Sequence, residues 1–186
     1  MNAASIAALA VRRFRGEFFT PPLWTNEAHE EVSRVLGEDW RQECVVWDCA
    51  AGTGNLTRDY LDWGCLLSST LEGTDVAAVQ EQGWGGEHVF EYDFLNPGPL
   101  PLEAQACLQT AAAAGKRLVF FINPPYGTAG NAGTKGTSKE GIAKTVVNEE
   151  MKAAKLGLPS QQLYAQFMFR CRKVAEHYGF RDYTVA

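Results

Sequence analysis

The sequence has no apolar run approaching the ~20 residues that a membrane-spanning helix needs, and no repeat recurs at solenoid spacing. Its five cysteines (Cys44, Cys49, Cys65, Cys107, Cys171) form no CxxC pair and leave an odd count. They are expected to be buried reduced thiols, not a metal or disulfide site. The three histidines, His29, His88 and His177, fall in no ligand spacing, so each is read as a surface or boundary histidine and no metal is expected. There is no basic excess either: net charge is −5. That argues against strong duplex binding by the chain alone, since a free-standing nucleic-acid binder carries a basic footprint. Positive charge gathers only locally, at Arg12, Arg13 and Arg15 and at Lys135, Lys139, Lys144, Lys152 and Lys155. In MNAASIAALAVRRFRGEFF the apolar stretch is short and the arginines follow it. This is the reverse of a secretory signal and predicts an amphipathic helix in a soluble cytoplasmic protein.

What is present is enough for one core, with 46% hydrophobic residues in a chain of 186. A first helix is expected over Ala3–Arg15, stopped by Gly16, and Pro21-Pro22 then bar any helix from running through. A second is expected from near Asn26, with Glu27, Glu30 and Glu31 in its first turn. Beyond Cys44, short apolar runs alternate with helical stretches. The runs are Cys44–Trp47, Cys65–Leu71, His88–Tyr92 and Leu118–Ile122; the helical stretches include Leu56–Leu61 and Val76–Gln82. That alternation predicts an α/β fold, a parallel sheet flanked by helices. Gly127–Gly141 reads as a long loop, and the whole segment Gly127–Leu158 is expected either to be mobile and to meet nucleic acid or to be a solvated linker. A final helix is expected from Ser160, as N-cap, to Tyr178, with Leu163, Phe167, Cys171, Val174 and Tyr178 on one face. Tyr183–Ala186 opens a fifth strand. The expected organisation is residues 1–43 as a helical segment carrying the Phe19-Thr20-Pro21-Pro22 stretch, and 44–186 as a single core.

The four apolar runs end in Asp48, Glu72, Asp93 and Asn123. In an open parallel sheet, ligands bind outside the carboxyl ends of the strands. One such residue alone is readily a turn cap; four in a row point to a site. Asp48-Cys49-Ala50-Ala51-Gly52-Thr53-Gly54-Asn55 is a strand-to-helix loop whose glycines admit a ligand close to the backbone. It lacks the GxxxxGK[ST] of a phosphate loop and the third glycine of the dinucleotide fingerprint. An acid directly at the strand end suits a cation such as S-adenosylmethionine, which carries a sulfonium and an ammonium. Glu72 is placed to hold a ribose diol, with Asp75 as a weaker substitute. Asp93 is placed to accept from an adenine amino group, with Phe94 packing on the ring.

Asn123-Pro124-Pro125-Tyr126 is the sharpest motif. Two prolines fix the backbone so that the Asn123 side-chain carbonyl and the Pro124 carbonyl converge on one point. Together they can hold an exocyclic amine and stabilise charge developing on its nitrogen. Tyr126 can stack on a planar base, worth ~1–3 kcal/mol.

With these residues, the chain resembles the amino-methyltransferases of DNA restriction-modification systems, in the adenine-N6 group where an FTP segment precedes the cofactor motif. Phe19-Thr20-Pro21 resembles the segment lying over the methionine part of the cofactor, and Asp48, Ala50, Gly52, Gly54 and Asn55 the cofactor loop. Glu72 resembles the ribose-binding acid, Asp93-Phe94 the adenine contact, and Asn123 to Tyr126 the catalytic tetrapeptide. The resemblance implies a Rossmann-like methyltransferase fold, S-adenosylmethionine as cofactor, no metal, and DNA as partner, with a target adenine flipped out of the duplex. It also implies further strands and a target-recognition domain, so the chain is expected to be truncated. The alternatives are an amino-methyltransferase acting on RNA adenine, cytosine N4 or protein glutamine, or a truncated cofactor-binding module without catalysis.

Overall fold

Val45 to Asp48 and Leu118 to Phe120 are buried along their whole length, as strands covered on both faces must be. In a computed structural model, which describes residues 20–83, 88–127 and 145–186, they form the centre of a parallel sheet. Its five strands are β1 (Val45–Asp48), β2 (Cys65–Thr70), β3 (His88–Glu91), β4 (Leu118–Phe120) and β5 (Tyr183–Val185), in the order β3-β2-β1-β4-β5. Every neighbouring pair is parallel, with Trp47 opposite both Leu67 and Phe120. The helices are α1 (Pro22–Leu36), α2 (Trp40–Glu43), α3 (Gly73–Glu81), α4 (Leu102–Ala113), α5 (Val146–Ala153) and α6 (Leu163–Tyr178), with a 3-10 turn at Leu158–Gln161. The architecture is α/β with a parallel sheet, as the alternation of apolar runs predicts, and Rossmann-like, as the family resemblance implies.

The chain divides into two compact units. Among the described residues, the larger holds 20–123 and 171–186, and therefore the whole sheet; the smaller holds 124–127 and 145–170. In the larger unit, Val32, Trp40, Cys44, Val46, Leu56, Leu66, Val119 and Phe121 pack into one buried cluster.

Several elements depart from the sequence reading. α1 starts at Pro22 rather than near Asn26. Proline at the first helical position loses no hydrogen bond and brings its φ already set, and the Pro21 carbonyl accepts from Trp24 and Thr25 N–H. Leu56–Leu61 is not helical. Gly52 and Gly54 both take positive φ, and the chain continues in turns closed by Gly54 N–H to Ala51 O and by Thr57 and Arg58 N–H to Gly54 O. Ser160 is not a helix cap: its hydroxyl donates to Gly157 O at 2.7 Å, and α6 begins at Leu163. Part of the segment expected to be mobile is helical, because Thr145 Oγ1 caps α5 by accepting Asn148 N–H at 3.0 Å. The expected helix over Ala3–Arg15 and the lysines 135, 139 and 144 lie outside the described residues. Cys65 and Cys107, 42 residues apart, are joined by a disulfide with Cα atoms 7.5 Å apart. The reduced-thiol reading is corrected at that pair, whereas Cys44, Cys49 and Cys171 are free and buried.

Candidate functional site

The strand order reverses at β1, which pairs with β2 on one side and β4 on the other. Loops leaving adjacent strands in opposite directions open a crevice at the carboxyl edge, where open α/β sheets bind ligands. Asp48 is the last residue of β1. Beyond β4 the pairing continues as Phe121 N–H to Trp47 O and Ile122 N–H to Ala186 O, and Asn123 comes next. Asp48 and Asn123 thus emerge from neighbouring strands at the reversal.

Asp48 is 1% exposed. Its Oδ1 accepts Ala50 N–H at 3.1 Å, while Oδ2, also buried, has no hydrogen-bond partner among the described residues. Burial pushes its carboxyl from 3.8 up to about 7, opposed by the Ala50 hydrogen bond. Ala51 N–H ties the loop to β2 through Ser69 O at 3.0 Å. At Gly52 (φ +52°) a Cβ would meet nothing within 4 Å, so the backbone there borders open space.

The far end of the loop is held by α1. Thr25 Oγ1 donates to Asn55 O at 3.3 Å, and His29 Nε2 bonds Leu56 O at 2.8 Å. This corrects the surface reading of His29, which is 2% exposed. Its ring stacks on Tyr60 with centroids 3.6 Å apart and meets Phe121 edge-on at 4.7 Å. Burial lowers its pKa to about 4, so the imidazole is neutral and Nε2 carries the proton donated to Leu56. Neither Thr25 nor His29 stands out in the sequence. The aromatic box around His29 comes from residues 40, 60, 63 and 121, a grouping that no local pattern reveals.

Asn123 Nδ2 donates to Thr20 Oγ1 at 2.9 Å, joining the catalytic candidate to the FTP segment across 103 residues. Thr20 precedes Pro21, the N-cap of α1; Phe19 lies outside the described residues. Glu72 is exposed at the N-cap position of α3, and its carbonyl accepts Asp75 and Val76 N–H. Asp75 is buried in the first turn of that helix. Asp93 starts a turn of its own: Oδ1 accepts Leu95 and Asn96 N–H at 3.0 and 2.9 Å, and Oδ2 accepts the Asn96 amide at 2.9 Å. Phe94 turns inward, 2% exposed and edge-on to Trp47 at 5.4 Å, so its ring is a core group. Pro124, Pro125 and Tyr126 belong to the smaller unit, where Tyr126 is exposed. Among the described residues, no group of three His, Cys, Asp or Glu could hold a metal ion, and no helix is long and apolar enough to cross a membrane.

No family model and no curated protein matches the chain. The cryo-EM structure of a DrdV–DNA complex is similar in fold, with a TM-score of 0.56 and 17% identity over 89% of this chain and 20% of that one. The two share the Rossmann-like α/β fold, and the present chain spans about a fifth of the DrdV chain.

Proposed function

We propose that this chain is the cofactor-binding and catalytic core of an S-adenosylmethionine-dependent methyltransferase acting on adenine N6 in DNA. The observation that carries the reading is the buried Oδ2 of Asp48, which has no partner among the described residues, where the strand order reverses. A carboxyl desolvated this far repels a pyrophosphate but gains from a cation, which supplies the partner it lacks. The open backbone at Gly52 is compatible with a ligand lying against the loop. Asp48 would hold the cofactor's ammonium, and Gly52, Gly54 and Asn55 would line it. Glu72 would take the ribose diol and Asp93 the adenine amine, through a remaining lone pair. When bound, S-adenosylmethionine supplies an electrophilic methyl group.

Asn123 supplies the acceptor side. Its carboxamide oxygen is too weak a base to remove a proton, but as a fixed acceptor it would orient an exocyclic N–H and stabilise positive charge growing on that nitrogen. Pro124 O would take the second N–H, and Tyr126 would stack on the base. The DNA substrate rests on this tetrapeptide and on the fold shared with a protein seen in complex with DNA. A second reading, a cofactor-binding module without catalysis, is favoured by the net charge of −5, which gives the chain no general hold on phosphates.

Transfer of labelled methyl groups from S-adenosylmethionine to duplex DNA, RNA and protein tests both readings. Methyl-N6-adenine is expected in DNA, and Asn123→Ala should lower the rate by about 10²–10³ with cofactor affinity little changed. Labelling of RNA or protein alone would replace the substrate. Cofactor binding without transfer to any acceptor would favour the non-catalytic module.

A further inference from the structure

A carboxamide has two ends of nearly the same shape and opposite hydrogen-bonding character. For Asn123 the difference decides function. With the oxygen toward an acceptor amine it accepts N–H; reversed, it sets donor against donor. In the reading proposed above, something must therefore fix the flip of this side chain. We propose that Thr20 does so, as a positioning residue that selects the productive orientation of Asn123.

The hydrogen bond from Asn123 Nδ2 to Thr20 Oγ1, at 2.9 Å, pins the amide's donor end and turns Oδ1 the other way. Thr20 is itself well fixed. It precedes a proline, which restricts it to extended backbone, and Pro21 (φ −65°, ψ 150°) caps α1 with its carbonyl on Trp24 and Thr25 N–H. α1 in turn grips the end of the Asp48 loop through Thr25 on Asn55 O and His29 on Leu56 O. One helix therefore links the loop that would hold the cofactor to the hydroxyl that orients the acceptor amide. The Thr20 hydroxyl accepts from Asn123 and so keeps its own proton to donate. A contact with cofactor and a grip on Asn123 are compatible in the same side chain.

The test compares Thr20→Val, which keeps the shape and removes the acceptor, with Thr20→Ser, which restores it. Two readouts are taken. The first is the hydrogen-exchange protection of the Asn123 side-chain NH2 by 15N NMR, which needs no substrate, with its resonance assigned by loss in Asn123→Asp. Thr20→Val should lose that protection and Thr20→Ser keep it, with both variants melting within a few degrees of wild type. The second readout is single-turnover methyl transfer at saturating cofactor. It should fall about tenfold in Thr20→Val, the size of one ordinary hydrogen bond, and return in Thr20→Ser. Unchanged NH2 protection in Thr20→Val overturns the proposal, as does an equal rate loss in both variants. If wild type transfers no methyl to any acceptor but the protection pattern holds, the functional reading has failed and the positioning contact has not.

Discussion

Asp48 ends one short apolar strand of the parallel sheet and Asp93 lies just beyond another, yet the structure treats them in opposite ways. Asp93 spends Oδ1 on two backbone N–H groups and Oδ2 on the Asn96 amide, all within its own turn. Among the described residues, Asp48 has a hydrogen bond from Ala50 N–H and a second oxygen buried without a partner. Buried polar groups are almost always paired, so an orphan next to open backbone is a better candidate for a ligand contact than strand-end position alone. Satisfaction, not location, separates the turn cap from the candidate ligand group.

The largest test of that contrast is Asp48→Asn. Losing a buried charge opposite a cation should weaken S-adenosylmethionine binding by at least about a hundredfold. Stability without ligand should move the other way. The folded pKa of Asp48, about 7, lies above its unfolded value of 3.8. The protonated carboxyl thus contributes stability that is complete below the lower value and is lost as pH rises through the upper one. At about 1.4 kcal/mol per unit, the ionised side chain costs a few kcal/mol above neutrality. Asp48→Asn should remove that cost, so urea melts near pH 8 should show the variant more stable than wild type. Cofactor affinity in wild type should also climb with pH toward about 7 as the proton is displaced, and calorimetric heats should vary with buffer ionisation. A variant that binds like wild type would put Asp48 with Asp93 as a structural acid.

His29 gives the contrast a second case with the opposite sign. Its Nδ1 is also buried without a partner among the described residues, but it is enclosed by aromatic rings instead of facing open backbone. Its folded pKa of about 4 lies below the usual 6.5. Stability from this group is therefore complete above the unfolded value and is lost as pH falls through the folded one, by about 3 kcal/mol in all. Over the shared acid range His29 and Asp48 act against each other, so the wild-type stability profile should be nearly flat. In Asp48→Asn the His29 slope should stand alone, with stability falling clearly on acidification. A profile in the variant as flat as in wild type would break this account.

Much of this was legible in the sequence, and the failures have physical causes. The apolar runs Cys44–Trp47 and Leu118–Ile122 mark parallel strands because burial on both faces leaves no polar alternation. The order β3-β2-β1-β4-β5, which brings the Asp48 and Asn123 loops together, depends on pairing between distant segments. Leu56–Leu61 looked helical by its apolar spacing, but the two positive-φ glycines before it and the closely spaced turn bonds hold that stretch in turns. α4 carries alanines and little periodic contrast along Leu102–Ala113, so nothing local marked it. The grip of α1 on the loop is made by a threonine and a histidine bonding to carbonyls, and carbonyl partners leave no trace in residue identity.

The smallest expected effect closes the contrast from the Asp93 side. If its carboxylate mainly serves its own turn, Asp93→Asn should be nearly neutral for folding. An asparagine oxygen still accepts Leu95 and Asn96 N–H, and only the contact from the Asn96 side chain changes. Asp93→Ala removes the acceptor altogether and leaves those two N–H groups to water. Leu95 is buried and Asn96 exposed, so mainly the Leu95 donor is costly to strand, and the loss should be about 1 kcal/mol. The pair of variants thus reads hydrogen bonding within the turn separately from charge, by chemical denaturation at a single pH. An Asp93→Asn variant as damaged as Asp93→Ala would mean that the negative charge itself matters, and Asp93 would then stand with Asp48 as an acid kept for a ligand.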